Sequence, residues 1–295
     1  MLPAELLKQI RMLEIRTDRI VDELVGGAYH SVFKGRGIEF DEVREYAEGD
    51  DVRDIDWNVS ARMNAPYIKK YIEERELNVL LLVDVSASGN TGSNSRTKRQ
   101  TAAELAALLA FSAGSNGDKV GLQLFSDRRE LLLPPRSGRN HTLRLIRELL
   151  ALEPVGKGTD LALALREAER FLTKRSVIFL ISDFVDGGDY GSALKMLNRR
   201  HDVIAVRIRD KAELAWELRS PVQIEDAETG RILFYGGSKG ENEAFRAAAA
   251  EEMAECNRLC ERAGVDLIDL QNGEDPLLPL VRFFDRRKRR IRRRS

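Results

Sequence analysis

Three segments of the 295-residue chain put oxygen-bearing side chains where apolar runs end or helices begin. Asp84-Val85-Ser86-Ala87-Ser88 closes the run NVLLLV, Thr159 lies in GKGTDL at a helix start, and Asp183 follows SVIFLIS directly. If the runs are neighbouring strands of one open sheet, these residues meet at its carboxyl edge, where such sheets bind ligands. Two carboxylates and three hydroxyls without His or Cys form an all-oxygen site for a hard, octahedral cation. Mg2+ fits first, then Mn2+ or Ca2+. Two negative charges balance a divalent ion, and an open coordination position then accepts an acidic group from elsewhere. Each residue alone also has a plainer reading. Ser and Thr at strand-to-helix junctions serve as N-caps, and an Asp at a strand end makes a turn. Joint occurrence at three junctions is what favours the metal site.

The elements that must position these residues are legible as a change of pattern. From Asn78 onward, near-continuous β-branched runs alternate with helical stretches: Asn78–Val85, Lys119–Phe125, Ser176–Ser182, Asp202–Arg207 and Val265–Leu270. Strands buried on both faces look like this. Between them the spacing predicts helices near Thr97–Ser115, Thr142–Leu152, Asp160–Thr173, Tyr190–Arg199 and Glu241–Ala263. Such alternation gives an α/β fold with a doubly wound, mostly parallel sheet. Arg129–Leu133 reads as an added edge strand stopped by Pro134-Pro135, and Gln223–Tyr235 as a β-hairpin turning at Thr229-Gly230.

Upstream, Leu6, Ile10, Leu13, Ile20 and Leu24 follow heptad spacing up to Gly26-Gly27 and read as a helix laid on its own domain in preference to a dimer zipper. A turn-rich, charge-dense module follows and closes with a strand-like Tyr67–Tyr71. Leu277, Leu280, Val281 and Phe284 predict a docked carboxyl-terminal helix. The expected division is an amino-terminal helix and module over 1–75, the α/β domain over 76–275, and a basic helix and tail over 276–295.

Charge is balanced overall, with 48 Lys+Arg against 48 Asp+Glu, but unevenly placed. The run RRKRRIRRR at 286–294 holds eight basic residues; removing them leaves 48 − 8 = 40 against 48, a body of −8. The tail, Arg286–Arg294, is expected to be mobile or loosely helical and to meet an acidic protein surface, nucleic acid, an anionic membrane or the acidic body itself. Two cysteines rule out a disulfide scaffold, and Cys256 and Cys260 share a helix face suited to core packing. No apolar run reaches the ~18 residues of a spanning helix, and the charged start MLPAELLKQIRML is unlike a signal peptide, so a cytoplasmic protein is expected. No phosphate-binding G-x-x-x-x-G-K-[ST] occurs, nor H-E-x-x-H or G-x-S-x-G. His30, His141 and His201 belong to no evident triad and read as surface or half-buried residues.

DVSAS, Thr159 and Asp183 resemble, in order and strand context, the metal-ion-dependent adhesion site of von Willebrand factor A domains, D-x-S-x-S then Thr then Asp. The preceding FKGRGIEFDEVREYAEGDDVRDIDWNVSAR is similar to the hallmark of a bacterial family, domain of unknown function 58. Tyr46, Gly49, Asp50, Asp51, Arg53, Asp54, Asp56, Trp57, Ser60, Ala61 and Arg62 match its run, and Asp226–Gly230 (DAETG) and the basic end also look like it. The resemblance implies a von Willebrand A-like, Rossmann-like domain in which Ser86, Ser88 and Thr159 coordinate the ion. Asp84 and Asp183 would bind it directly or through water, and a partner carboxylate would complete the shell. It also implies association with a MoxR-type AAA+ ATPase. Within GDDVRDIDW the four Asp lack calcium-loop spacing, and a structural clamp is expected, with Arg53 and Arg62 pairing the acids and Trp57 buried.

The expected function is a non-enzymatic, Mg2+-dependent protein-binding adaptor working with that ATPase in assembly or maturation of a complex. One alternative is a metal-dependent phosphohydrolase with Asp84 as nucleophile, although Ser86 stands where such enzymes carry a second Asp. The other is non-specific binding of nucleic acid or an anionic surface through the tail.

Overall fold

The structure is a computed structural model that describes residues 38–292 apart from Glu48, Asn64, 74–75, 94–95 and 215–219, together with Met12 and Val32. The expected helix carrying Leu6 to Leu24 lies outside the described residues.

Six strands form the central sheet: β3 (Asn78–Asp84), β4 (Lys119–Phe125), β5 (Arg129–Arg136), β6 (Ser176–Ser182), β7 (Asp202–Arg209) and β10 (Asp266–Gln271). Their order is β10-β7-β6-β3-β4-β5, all parallel except β5, which runs antiparallel along β4. The chain builds outward from β3 through β4 to β5, then crosses back to lay β6 on the other side of β3. The reversal falls at β3/β6, the two strands that end in DVSAS and Asp183. This is an α/β, doubly wound, mostly parallel sheet, as the alternating pattern implied.

The period of two along β3 sorts its side chains into two cores. Val79, Leu81 and Val83 join α2 (Lys98–Ser115), α3 (Arg139–Ala151) and α8 (Leu277–Arg292) on one face. Leu80 and Leu82 join α4 (Leu161–Phe171), α5 (Gly191–Arg200) and α7 (Lys239–Ala263) on the other. Each Leu buried in this way contributes roughly 2 kcal/mol. The free thiols of Cys256 and Cys260 are buried in the second core, as their helical spacing indicated. A helix covered on nearly every side must be largely apolar, and α2 is; Ala102–Ala113 is an unbroken buried stretch whose only polar residues are Glu104 and Ser112. Outside the main sheet lie two antiparallel pairs. One is β1 (Ile38–Glu45) with β2 (Tyr67–Glu73), between which sits α1 (Trp57–Met63). The other is the hairpin β8 (Val222–Glu225) with β9 (Ile232–Tyr235), which follows the short α6 (Lys211–Leu214).

Several expectations are corrected. The edge strand does not stop at Pro134-Pro135 but runs through both to Arg136, because an edge strand need not donate on its outer side. Trp57 is 67% exposed rather than buried. Asp50 is held by a bidentate pair with Arg44, at 2.7 and 2.9 Å, rather than by Arg53 or Arg62. The Arg44 guanidinium, with the Ala47 N–H, keeps that carboxyl below the usual carboxylate range. His201 is buried, not surface-lying: it ends α5, and its Nδ1 accepts the Ser176 N–H at 3.2 Å.

The largest correction concerns the carboxyl-terminal tail. Its helix continues to Arg292, and Arg287 is buried with both Asp202 oxygens at 2.5 Å. The guanidinium also sits 5.8 Å from the Phe283 ring centre, while Arg290 clasps Asp266 at 2.7 and 2.8 Å. Charge repulsion within the run is offset because Arg287 and Arg290, one helical turn apart, face carboxylates at the amino ends of β7 and β10.

Arg287→Ala should therefore destabilise the fold by about 3 kcal/mol, since Asp202 is left without its main counter-charge. A thermal melt should show a drop of several degrees, and deletion of 286–295 at least as much. A second test uses pH. Burial, with the Arg200 and Arg175 charges, lowers the His201 pKa from 6.5 to about 4. Between those values the unfolded chain binds the extra proton, so stability falls as pH drops through that window and is unaffected above it. Melting temperatures from pH 7 to 4.5 should fall more steeply for the natural protein than for His201→Gln.

Candidate metal centre

At the carboxyl end of β3 the chain turns sharply, with Asp84 Oδ1 accepting the Ser86 N–H at 2.9 Å. A single turn of 3-10 helix, Ala87–Asn90, follows; Ser86 precedes it but makes no capping bond. The Ser86 hydroxyl is instead 3.1 Å from that of Ser88, which donates to Asp183 Oδ2 at 3.0 Å. The Ser182 hydroxyl, last in β6, donates to Asp84 Oδ2 at 2.6 Å and ties the two strand ends together. Past Asp183 the backbone reverses through Phe184, whose φ of 59° is in the left-handed region and uncommon for a bulky side chain. That turn lets the Val185 N–H return to Asp183 Oδ1 at 3.1 Å and fixes the carboxylate toward Ser88.

Thr159 arrives on a separate loop. Glu130 receives the N–H groups of Val155 and Gly156 at 3.0 and 2.7 Å, anchoring that loop to β5. A side chain at Gly156 would meet the Ser126 and Asp127 oxygens at 2.1 and 2.2 Å, so only glycine permits this approach. The cap of α4 is Asp160, whose carboxylate accepts the Leu163 N–H at 2.7 Å. The Thr159 hydroxyl is thereby left to donate elsewhere, and it donates to Glu228 Oε1 at 2.9 Å. The plainer cap reading thus fails for Ser86 and Thr159, while Asp84 makes its turn and keeps a second oxygen directed at β6.

Asp84, Ser86, Ser88 and Asp183 line one cavity of about 20 Å³, room for a single water-sized occupant. Thr159 does not line that cavity; its hydroxyl reaches Glu228, which shares the adjoining cleft with Ser88 and Asp183. Burial and then the nearby charge of Asp183 raise the Asp84 pKa to about 7, against the hydrogen bonds from Ser182 and Ser86. Glu228 is likewise raised by burial, with Thr159 opposing and Asp183 adding to the shift. Burial is the larger cause in both, with the neighbouring carboxylate adding to it. Lys98, the first residue of α2, supplies a counter-charge: its ammonium is 2.6 Å from Asp183 Oδ2 and also pairs with Glu213. Burial works against that ammonium, but Asp183 and Glu213 outweigh it and hold its pKa above the ordinary value.

The donor set fits a hard cation: carboxylate and hydroxyl oxygens, with no nitrogen or sulfur. Among the described residues no cluster of three or more His, Cys, Asp and Glu has metal-holding geometry. A cation here would rest on the serines as much as on the two aspartates. Sequence reasoning missed Lys98, Ser182 and Glu228. Lys98 had a signal, because a cation in the first turn opposes the helix dipole and calls for a carboxylate nearby.

The family model described as "Protein of unknown function DUF58" matches residues 42–257. An uncharacterised protein of Mycobacterium tuberculosis (strain H37Rv), Rv1480, is 30% identical over 287 residues, 97% of this chain and 90% of its own length. Among solved structures, an aerotolerance-related membrane protein from Bacteroides fragilis is 18% identical over 72% of this chain and 99% of that one, with a TM-score of 0.47. The VWA domain of SpRpn10 is 14% identical over 70% of this chain and 93% of that one, with a TM-score of 0.40. With one family model spanning most of the α/β unit and a relative matching almost end to end, the chain belongs to the DUF58 family of proteins of unknown function.

Proposed function

We propose that this protein is a non-enzymatic adaptor that captures an acidic group of a partner protein through a divalent cation. Asp84, Ser86, Ser88, Thr159 and Asp183 hold the cation, which is Mg2+, with Mn2+ or Ca2+ as substitutes. The observation that carries the reading is the hydrogen-bonded set at the β3/β6 reversal, where Ser86 and Ser88 bridge two aspartates around a single-occupant cavity. Bound there, a divalent ion supplies electrostatic attraction for a carboxylate and need break no bond. The chain's own part is to fix the oxygens before the ion arrives: Ser182 holds Asp84, Val185 holds Asp183, and the Glu130 anchor holds the Thr159 loop.

Hydrolysis through Asp84 has less support, because both of its oxygens already accept hydrogen bonds and Ser86 stands where a second acid is needed. The family resemblance supplies the partner in this proposal, a MoxR-type AAA+ ATPase, with assembly or maturation of another complex as the task. No helix among the described residues is long and apolar enough to cross a membrane.

Saturating the site at about 100 times its dissociation constant should add about 2.7 kcal/mol to stability. Melts in Mg2+ and in EDTA should differ accordingly, and Asp84→Ala should abolish the difference; identical melts, with no heat of Mg2+ binding by calorimetry, would refute the cation. Thr159→Ala removes a hydroxyl that caps no helix, so its melt in EDTA should stay within about 1 kcal/mol of the natural protein. Its Mg2+ increment should shrink. Capture of the ATPase in a pull-down should need Mg2+ and be lost in the same variant; capture unchanged by EDTA would mean that the two proteins meet elsewhere.

A further inference from the structure

A carboxylate of this chain, Glu228, lies in the cleft beside Ser88 and Asp183 and receives the Thr159 hydroxyl. Glu228 lies in the six-residue loop between β8 and β9, far along the chain from the strands that build the site. Its Oε1 accepts the Thr159 hydroxyl at 2.9 Å, and it shares one cleft with Ser88 and Asp183, close enough to Asp183 to feel its charge. Within DAETG it alone is half-buried, while Asp226, Ala227, Thr229 and Gly230 are exposed.

The rest of the loop is arranged to aim it. Asp226 Oδ1 accepts the N–H groups of Glu228 and Thr229 at 3.0 and 2.8 Å. Asp226 O accepts the Gly230 N–H at 2.8 Å, and Gly230 takes a φ of 69° that other residues rarely adopt. Asp226 and Gly230 thus close a tight turn whose one inward side chain is the glutamate. The hairpin carrying it is a two-stranded unit outside the main sheet. Two-stranded units are only marginally stable alone, so this one is suited to leave its seat without disturbing the six-stranded core.

We infer that Glu228 is a built-in ligand of the cation site, occupying the position of the partner's carboxylate and holding the protein in a self-ligated state. A partner then binds by exchanging its own Asp or Glu for Glu228, and release of the β8–β9 hairpin reports the exchange. This inference rests on the cation reading and adds to it the class of ligand, a carboxylate, and the competitor that regulates access.

The test uses the full chain with Mn2+ alone as probe, followed by water-proton relaxation and calorimetry. Glu228→Ala should weaken Mn2+ binding at least tenfold, since losing even an outer-shell partner typically costs about 10–100-fold. The bound ion should gain one exchangeable water, and added acetate should displace that water in Glu228→Ala but not in the natural protein. In the natural protein, Mg2+ should also slow backbone hydrogen exchange across 222–235, and Glu228→Ala should remove that slowing. Equal Mn2+ affinity and equal relaxation in the two proteins would overturn the built-in ligand while leaving the cation site standing. Absence of Mn2+ binding to either protein would overturn both.

Discussion

Two aspartates brought together at the ends of adjacent buried strands are the constraint on which the rest of this structure turns. Asp84 and Asp183 sit where β3 and β6 end, largely out of water, and their like charges oppose one another. Folding must hold them there by other means. Ser182 donates to one, Ser88 and Lys98 donate to the other, and the Phe184 reversal turns the second carboxylate inward. Such a centre stores a demand for positive charge that Lys98 meets only in part, because it bonds directly to one of the two acids.

The surrounding architecture serves that demand. A helix covered on nearly all sides would ordinarily carry no cation at its start, yet α2 begins with Lys98 because Asp183 and Glu213 receive it. Placing α2 requires a largely apolar body, which Ala102–Ala113 provides against one face of the sheet, its one charged residue, Glu104, pairing with Arg96. On the opposite face, α4 starts just after Thr159, and its cap is Asp160 rather than the threonine. Adjacent residues thus divide the work: the carboxylate finishes the helix and the hydroxyl faces the site.

Basic residues at the far end of the molecule follow a different logic. Arg287 and Arg290 close over Asp202 and Asp266 at the amino ends of β7 and β10, opposite the acidic edge. Acids at the entrances of these strands have cations from the last helix, whereas acids at the exits of β3 and β6 have one lysine. The acids at the exit edge thus have fewer cationic partners than those at the entrances.

The sequence by itself determined the alternation of strands and helices, the strands buried on both faces, and the oxygen side chains where β3 and β6 end. Those signals are short-range: the continuous apolar run between Asn78 and Asp84, the Ala- and Leu-rich body of α2, and oxygen side chains at strand ends. Local signals also misled where a long-range partner decided the outcome. The run RRKRRIRRR looked self-repelling until Asp202 and Asp266 were placed beside it, and Trp57 looked buried from its composition alone. Only the tertiary structure decided that Lys98 meets Asp183 and that Thr159 meets Glu228, pairs 85 and 69 residues apart. Neither contact has a periodicity to announce it. The physical reason is that caps and amphipathic faces are fixed within a few residues, whereas the meeting of charges depends on which strands the sheet sets side by side.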